Sequence, residues 1–300
     1  MTTAQNLFRD FSTIWRTHDH HPWRARWQRR NRIVPLLLVK LGAHRVVETP
    51  LFWGARMRTL TGEIVSNGVI AFGYAEPAIS ALLCELVIPG DTVVDIGTHF
   101  GYEAMLLSEL VSTNGRVHAF EPNPEVLAFA RANLTRYSQT TLHACALGEV
   151  TGRTTFQLPP LTLSSLGGIG SDAAASCPTE VAITRLDDAL PPESGAIALI
   201  KCDAEGHEAA IVRGAVRHLA GNPALILETG MAEPGRAPPG LSQVATYLEP
   251  HGYRPFCFTF DGRLRVAPQG TFDTGHASTL FLPMTHARFA AFSAGWSRGA

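Results

Sequence analysis

Lysine is scarce in this sequence: only Lys40 and Lys201 stand among 25 basic residues, and charged residues make up 17% of the 300 positions. A charged fraction this small, beside 45% hydrophobic residues, excludes a disordered chain and supplies enough apolar side chains for a sizeable core. The formal net charge of −1 argues against a basic nucleic-acid-binding protein. We therefore expect a globular protein of one or two domains that binds no nucleic acid.

Long apolar runs and cysteine motifs are also missing. No stretch of about 18 apolar residues occurs, which argues against a transmembrane helix. The first residues lack the basic start, apolar middle and cleavage site of a signal peptide. The five cysteines form no C-x-x-C pair, which excludes the usual disulfide frameworks and zinc sites. Together these absences predict a cytoplasmic protein with reduced thiols and no structural metal.

The near-neutral total conceals a basic N-terminal segment. Residues 1–60 hold 11 basic and 3 acidic residues, whereas the remainder holds 14 and 23. Within this segment, five arginines and two tryptophans alternate over residues 23–32. Two interpretations stay open for that stretch: a surface for a partner or an anionic surface, or an accessory helix that packs its tryptophans and leaves its arginines in water.

From Asp91 onward, short β-branched runs alternate with helical patterns. Residues 92–96, 116–120, 141–147, 197–202 and 224–227 predict buried parallel strands, and residues 254–260, 262–266 and 278–282 predict closing strands. Repeated strand–helix units predict an α/β fold with a mostly parallel, doubly wound sheet. We expect one antiparallel closing strand near residues 278–282. Residues 46–74 predict short strands and turns, and residues 1–45 an amphipathic helix.

Ligands bind beyond the carboxyl ends of the strands in such a sheet, and most of the predicted strand ends carry acidic residues. Asp95 precedes a turn that contains Gly97 and Gly101, whose spacing is not the G-x-G-x-x-G of dinucleotide-binding proteins. Glu121 ends the next strand, where a carboxylate can accept hydrogen bonds from ribose hydroxyls. An N-terminal helix carboxylate is the alternative role for Glu121. These residues favour a nucleoside cofactor without specifying which one.

The segment 201–208 (KCDAEGHE) places three carboxylates and an imidazole at one strand end. Such crowding suits general-base catalysis or a divalent cation held by oxygen ligands. Helix capping explains Glu208, but it does not explain the whole cluster.

Five motifs in this order resemble the FkbM-type methyltransferases, a branch of the class I S-adenosylmethionine-dependent enzymes. They are the glycine turn at 89–102, RVHAFEPN at 116–123, ALG at 146–148, TRLDD at 184–188 and KCDAEGHE at 201–208. The resemblance implies the class I (Rossmann-like) methyltransferase fold and methyl transfer from S-adenosylmethionine. The sites it implies for the cofactor are Asp95, Gly97, His99, Gly101, Glu121, Asn123, Ala146 and Asp203. It also implies that Asp203, Glu205 and His207 face the methyl donor and acceptor as catalytic candidates.

Two departures from the family pattern lie in the glycine turn. Thr98-His99 replaces the family's usual Ala-Asn, and Glu103-Ala104 stands where a serine or threonine is common. His99 either replaces the missing amide as a hydrogen-bond donor or is a half-exposed loop histidine.

We expect a basic accessory segment over residues 1–75 and a methyltransferase domain over 76–300, with the motifs at 90–230. The predicted reaction is methylation of an oxygen of a small molecule, sugar or secondary metabolite. A divalent metal is possible but is not predicted. Two other classes stay open: a nicotinamide-dependent oxidoreductase, and a non-catalytic partner-binding protein that retains the fold.

Overall fold

A computed structural model describes residues 41–169, 176–230, 240–260, 264–268 and 278–293. The predicted N-terminal helix up to residue 40 and the alternating Arg/Trp stretch lie outside these residues. The interpretations of those segments stay predictions. The last part of the predicted helix, residues 41–45, forms a turn and an irregular stretch instead.

The described residues form thirteen strands. They are β1 (Val46–Pro50), β2 (Arg56–Leu60), β3 (Thr92–Ile96), β4 (Arg116–Phe120), β5 (Thr140–His143), β6 (Ala146–Leu147), β7 (Gly152–Leu158), β8 (Cys177–Thr184), β9 (Ile197–Cys202), β10 (Ala224–Glu228), β11 (Tyr253–Phe260), β12 (Leu264–Pro268) and β13 (Ser278–Pro283). The α-helices are α1 (Ile64–Phe72), α2 (Pro77–Leu86), α3 (Tyr102–Val111), α4 (Pro124–Leu134), α5 (Leu186–Ala189), α6 (Glu208–Arg213), α7 (Val216–Leu219), α8 (Leu241–Leu248) and α9 (Phe289–Ser293). A 3₁₀ helix spans Leu161–Leu166.

The central sheet has the strand order β12-β11-β13-β10-β9-β3-β4-β5. Strands β10, β9, β3, β4 and β5 are parallel neighbours, and β13 runs antiparallel to both β10 and β11. The predicted doubly wound sheet and its antiparallel closing strand are therefore confirmed. The strand order reverses between β3 and β9, which is the topological switch point where such sheets bind ligands.

Alternate residues of β3 face the two halves of the core. Val93 and Val94 are both fully buried, yet Val93 belongs to the apolar cluster on one face of the sheet and Val94 to the cluster on the other. This period-2 division is what a strand covered by helices on both sides requires. Met57 of the β1–β2 hairpin lies in the same cluster as Val93, and Asn133 of α4 accepts a hydrogen bond from the Arg58 amide (2.7 Å). The hairpin therefore packs directly on the sheet domain, and the division at residue 75 stays a prediction.

Two further predicted elements differ from the structure. The strand predicted at 141–147 ends as β5 at His143, and Ala146 and Leu147 join a separate sheet with the order β6-β8-β7. Strands β7 and β8 pair antiparallel along seven residues, and this pairing supplies an edge to which Ala146 and Leu147 add. The region 46–74 holds the expected hairpin, but residues 64–72 form helix α1 instead of turns. Glu63 caps this helix by accepting hydrogen bonds from the amides of Val65 (3.0 Å) and Ser66 (2.6 Å).

Within the described residues, no single helix is long and apolar enough to cross a membrane. Helices α1 and α2 meet the length and composition criteria only when they are taken together, and they are bent by 73° relative to each other.

Candidate active site at the strand ends

A cavity of about 260 Å³ lies at the carboxyl ends of β3, β4 and β9, beside the switch point. Seven of the residues predicted to form the site line it: Gly97, His99, Glu121, Ala146, Asp203, Glu205 and His207. The other three do not: Asp95, Gly101 and Asn123. The fold therefore gathers residues from sequence positions 97 to 207 around one cavity, as the resemblance implies.

Gly97 and Asp203 join the two strands at the switch point. The amide of Asp203 donates to the carbonyl of Ile96 at 3.0 Å. Gly97 has a φ of +74°, and a Cβ at this position would lie 1.8 Å from the carbonyl oxygen of Asp203. Only glycine fits there, because any side chain would separate β3 from β9. The first motif glycine thus sets the distance between the glycine turn and the acidic segment.

Gly101 and His99 both adopt left-handed backbone conformations in the same turn. Gly101 begins helix α3 at a φ of +92°, and a Cβ there would meet its neighbours only at ordinary contact distance. His99 has a φ of +51° without being glycine, which is strained. This conformation lets the His99 amide donate to Glu121 Oε2 at 2.9 Å.

Glu121 is held by two backbone donors. Its Oε1 accepts from the Asn123 amide at 2.9 Å, and its Oε2 accepts from the His99 amide. Burial raises the pKa of Glu121 to about 7, although these two hydrogen bonds act in the opposite direction. The carboxyl group is only 6% exposed yet lines the cavity. Each oxygen keeps a second lone pair, so the residue can still accept hydrogen bonds from a ribose.

Asn123 and Asp95 act inside the protein, away from the cavity wall. The Asn123 side chain caps α4 by accepting from the amides of Glu125 (2.9 Å) and Val126 (3.4 Å). Asp95 is fully buried and accepts a hydrogen bond from the Thr98 hydroxyl at 2.6 Å. The departure to Thr98 thus gives this carboxylate a partner that the family's usual alanine would not provide.

Lys201 lies between Asp95 and Asp203. Its Nζ is 3.8 Å from Asp95 Oδ1 and 3.6 Å from Asp203 Oδ2, and the side chain is 5% exposed. Burial lowers the pKa of Lys201, but the surrounding carboxylates outweigh burial and raise it well above its ordinary value. Burial raises the pKa of Asp203, but the charge of Lys201 and the hydrogen bond with Glu228 together outweigh it, so that this pKa is lowered. Lys201 therefore stays cationic, and it keeps Asp203 ionised at neutral pH.

Three cavity carboxylates approach one another at the end of β9. Oxygen atoms of Asp203, Glu205 and Glu228 lie within 4.8 Å of one another. Burial, followed by the neighbouring Asp203, raises the pKa of Glu228 to about 10, and burial raises that of Glu205 to about 7. Glu228 therefore holds a proton at neutral pH while Asp203 holds the charge. Oxygen atoms in this arrangement suit a divalent cation, which would have to displace that proton.

Glu208 has a structural role beside this cluster. Its Oε1 accepts from the amides of Ala204 (2.8 Å) and Gly206 (3.3 Å), and it does not line the main cavity. It does line a second cavity of about 220 Å³, which shares Glu205 and Glu228 with the first. The two cavities therefore meet at those carboxyl groups.

His99 connects the glycine turn to the 3₁₀ helix across the cavity. Its Nε2 lies 2.8 Å from the Ser164 hydroxyl, and its ring stacks on Phe100 with centroids 4.5 Å apart. Burial lowers the pKa of His99, so the ring is neutral at pH 7. Ser164 of the 3₁₀ helix thus lines the cavity and forms a hydrogen bond with a residue of the glycine turn.

Sequence reasoning missed several residues of the cavity wall. Glu76 contributes a carboxyl group, and Met57, Val65 and Ser66 line the same cavity. No motif marks these four residues. Glu103, which the sequence marked only as a departure from the family pattern, also lines the cavity. Glu76 directly precedes Pro77, and that dipeptide is the one local signal of an unusual backbone.

The fold and the site together define a class. A doubly wound sheet with an antiparallel closing strand, and a cavity between the glycine turn and an acidic strand end, are the features of class I S-adenosylmethionine-dependent methyltransferases. The family model of the methyltransferase FkbM domain matches residues 95–255, more than half of the chain. The protein therefore belongs to the FkbM methyltransferase family.

Individual relatives match shorter segments. The chain is 41% identical over 90 residues to the 31-O-demethyl-FK506 methyltransferase FkbM of Streptomyces tacrolimicus, covering 29% of this chain and 33% of that protein. It is 39% identical over 81 residues to a protein-L-isoaspartate O-methyltransferase of Methanococcoides burtonii, covering 24% and 40%. The matched segments thus span well under half of either relative.

Solved structures resemble the chain more distantly. A precorrin-6y C5,15-methyltransferase of Geobacter metallireducens gives a TM-score of 0.41 at 19% identity, covering 69% of this chain and 87% of that one. Fibrillarin of Aeropyrum pernix, solved with S-adenosylmethionine bound, gives 0.39 at 12% identity, covering 66% and 68%.

Proposed function

We propose that this protein transfers a methyl group from S-adenosylmethionine to an oxygen atom of a small molecule, sugar or secondary metabolite. The charge of the cavity is the observation that carries the proposal. Six carboxyl groups line it, whereas Lys201 is the one lysine or arginine among the described lining residues. Burial raises the pKa of most of these carboxyl groups, and a cation beside them stabilises their ionised form, so the cavity suits a cationic ligand. The sulfonium and ammonium groups of S-adenosylmethionine provide that charge.

The residues on the wall fit the parts of this cofactor. Glu121 offers two carboxylate oxygens to ribose hydroxyls, and Gly97 lets a ligand approach the backbone at the switch point. Ala146 and its neighbours Cys145 and Leu147 provide an apolar wall for the adenine. When bound, S-adenosylmethionine supplies an activated methyl group to an oxygen nucleophile aligned with the carbon–sulfur bond.

His207 and Asp203 have different roles toward the hydroxyl group of the acceptor: His207 removes its proton, and Asp203 orients it. Burial lowers the pKa of His207, so its imidazole is neutral and can accept a proton at pH 7. Asp203, ionised beside Lys201 (3.6 Å), is the weaker base of the two and instead orients the hydroxyl by accepting its hydrogen bond. The main contribution of the protein is alignment, because the leaving group is already activated.

The oxygen acceptor is supported by two observations. The names of the relatives from Streptomyces tacrolimicus and Methanococcoides burtonii both state methylation at oxygen. The second cavity, which meets the first at Glu205 and Glu228, provides room for an acceptor beside the methyl donor. Its mixture of carboxyl groups, Gln243 and Thr229 suits a hydroxylated molecule.

A nicotinamide-dependent oxidoreductase fits the cavity less well. Dinucleotides carry an anionic pyrophosphate, which the ionised Asp203 would repel, and Lys201 is the one lysine or arginine among the described lining residues. The non-catalytic alternative predicts that ligand binding occurs without turnover, and only an activity measurement separates it from the proposal.

Isothermal titration with S-adenosylmethionine, S-adenosylhomocysteine and NAD tests the cofactor. We expect the first two to bind and NAD not to bind at millimolar concentration. Transfer of a labelled methyl group to hydroxylated macrolides, sugars and isoaspartyl peptides then tests the acceptor, with Asp203→Asn as the impaired variant. Binding without transfer to any acceptor class would favour the non-catalytic alternative, and binding of NAD alone would refute the proposal.

A further inference from the structure

Glu76 occupies an unusual position on the cavity wall. It precedes Pro77 at the beginning of α2 with φ 34° and ψ 68°, a left-handed conformation that is strained for glutamate. Its side chain forms no capping hydrogen bond with α2, although glutamate can cap a helix, as Glu63 does for α1. The strain therefore serves no helix-capping purpose.

The Glu76 side chain instead opens onto the cavity. More than a third of its surface is accessible, yet burial is the largest effect that raises its pKa. Protein atoms surround part of the side chain, and the accessible part is available to a ligand in the cavity that Glu76 lines.

The neighbours of Glu76 place it at one end of the cavity. Asp203, Lys201 and Asp95 act on its charge, and Glu103 lies within hydrogen-bonding reach of it. These residues surround the switch point, whereas Ala146 and its neighbours line the cavity beyond β4 and β5. Four carboxyl groups therefore surround one lysine at the switch-point end, so this end has more acidic groups than cations among the described residues.

We propose that Glu76 binds the α-ammonium group of the methionine portion of S-adenosylmethionine, with Glu103 as its hydrogen-bonding neighbour. This inference rests on the proposed function. An ammonium group carries three donors and a full charge, so it forms charge-assisted hydrogen bonds with a carboxylate. The strained backbone at residue 76 aims the carboxylate at the ligand in place of the helix. The proposal thus gives a cofactor-binding role to Glu76, which precedes the first family motif at residues 89–102.

A ligand series isolates this contact. S-adenosylmethionine and S-adenosylhomocysteine contain the ammonium group, whereas 5′-methylthioadenosine keeps the adenosine and the sulfur but lacks the amino acid. Titration calorimetry would compare the three ligands on the wild type, on Glu76→Gln and on Glu76→Gly. Glu193→Gln is the matched control, because Glu193 is exposed and lies outside both cavities.

We expect Glu76→Gln to bind the two amino-acid-containing ligands at least tenfold more weakly and 5′-methylthioadenosine unchanged. Glu76→Gly should show the same loss while its thermal midpoint rises, because glycine adopts the left-handed conformation without strain. Equal weakening of all three ligands, or no weakening of any, would overturn the inference. A wild type that binds none of the three would overturn the proposed function, and the inference with it.

Discussion

The α-carbon of Gly97 packs directly against the backbone carbonyl of Asp203, so closely that a Cβ would lie 1.8 Å from that oxygen. The two residues are 106 positions apart in the sequence, and they belong to the two motifs that supply most of the site. Their contact couples the spacing of β3 and β9 to the position of the Asp203 carboxylate. A substitution at Gly97 should therefore affect stability and ligand binding together.

Replacement of Gly97 by alanine should be far more harmful than the same change at another left-handed glycine. We expect Gly97→Ala to lower the free energy of unfolding by at least about 3 kcal/mol, because a backbone clash adds to the conformational strain. Gly54→Ala, at φ +94° with open space around it, should cost only about 1 kcal/mol. Urea denaturation of both variants measures the difference, and equal losses would show that Gly97 is required only for its φ.

Glu121 should destabilise the ligand-free protein at alkaline pH. Burial raises its pKa to about 7, above the value of about 4.3 in unfolded chains, so the folded state binds the proton more tightly. Its contribution is fully favourable below about pH 4 and is lost as the pH rises through 7. Glu121→Gln also loses one of the two backbone hydrogen bonds, at a cost of about 1 kcal/mol. It should therefore raise the free energy of unfolding at pH 8 by on the order of 2 kcal/mol and lower it by about 1 kcal/mol at pH 4.

The same variant should bind S-adenosylmethionine more weakly at pH 8, since the amide provides one acceptor where the carboxylate provides two. Thermal denaturation with and without ligand at both pH values gives the two quantities. If Glu121→Gln were less stable than the wild type at pH 8, the prediction that the ionised Glu121 destabilises the ligand-free protein would be wrong.

Lys201 and Asp95 should show strong coupling in a double-mutant cycle. Lys201→Met leaves the fully buried Asp95 without its cation, and the free energy of unfolding should fall by about 3–5 kcal/mol. Asp95→Asn alone should also destabilise, since Thr98 and Lys201 lose a charged partner. The double variant should be more stable than the sum of the single losses predicts. Additive losses would mean that the 3.8 Å pair contributes no specific interaction.

The His99–Ser164 hydrogen bond should affect ligand binding more than folding. Ser164→Ala removes the contact that holds the 3₁₀ helix Leu161–Leu166 to the glycine turn, at a cost of about 1 kcal/mol. We expect a several-fold increase in KM for S-adenosylmethionine with little change in thermal midpoint. Ser138→Ala, on an exposed loop, is the matched control. An unchanged KM would show that the 3₁₀ helix stays in place without this bond.

Protonation of His207 should set the acidic limb of the pH–rate profile. Its pKa is lowered by burial, so kcat/KM should rise with pH through a midpoint below the ordinary histidine pKa of about 6.5. His207→Gln should remove this limb and reduce kcat by roughly 100-fold. If the acidic limb persists in His207→Gln, another residue acts as the base.

Local sequence was sufficient for the parts of this protein that depend on periodicity and turn chemistry. The β-branched runs predicted the buried parallel strands because each is covered on both faces, and the motifs at 95–101, 116–123 and 201–208 identified the strand ends. The same reasoning missed helix α1, because the Asn67-Gly68 pair resembles a turn and only burial of Val69 and Ile70 against the core favours a helix there. It also joined β5 and β6, which belong to different sheets.

The sequence by itself determined the fold and the family, and it predicted Gly97, Glu121 and Asp203 at the strand ends, since each stands at the end of a recognisable strand. The tertiary structure decided what these residues face. In the folded protein, Glu76 and Glu103 line the cavity, and Asn123 caps helix α4. Lys201 lies between the carboxylates of Asp95 and Asp203. Charge balance in a buried site depends on distances between residues far apart in the chain, and no local pattern in the sequence encodes those distances.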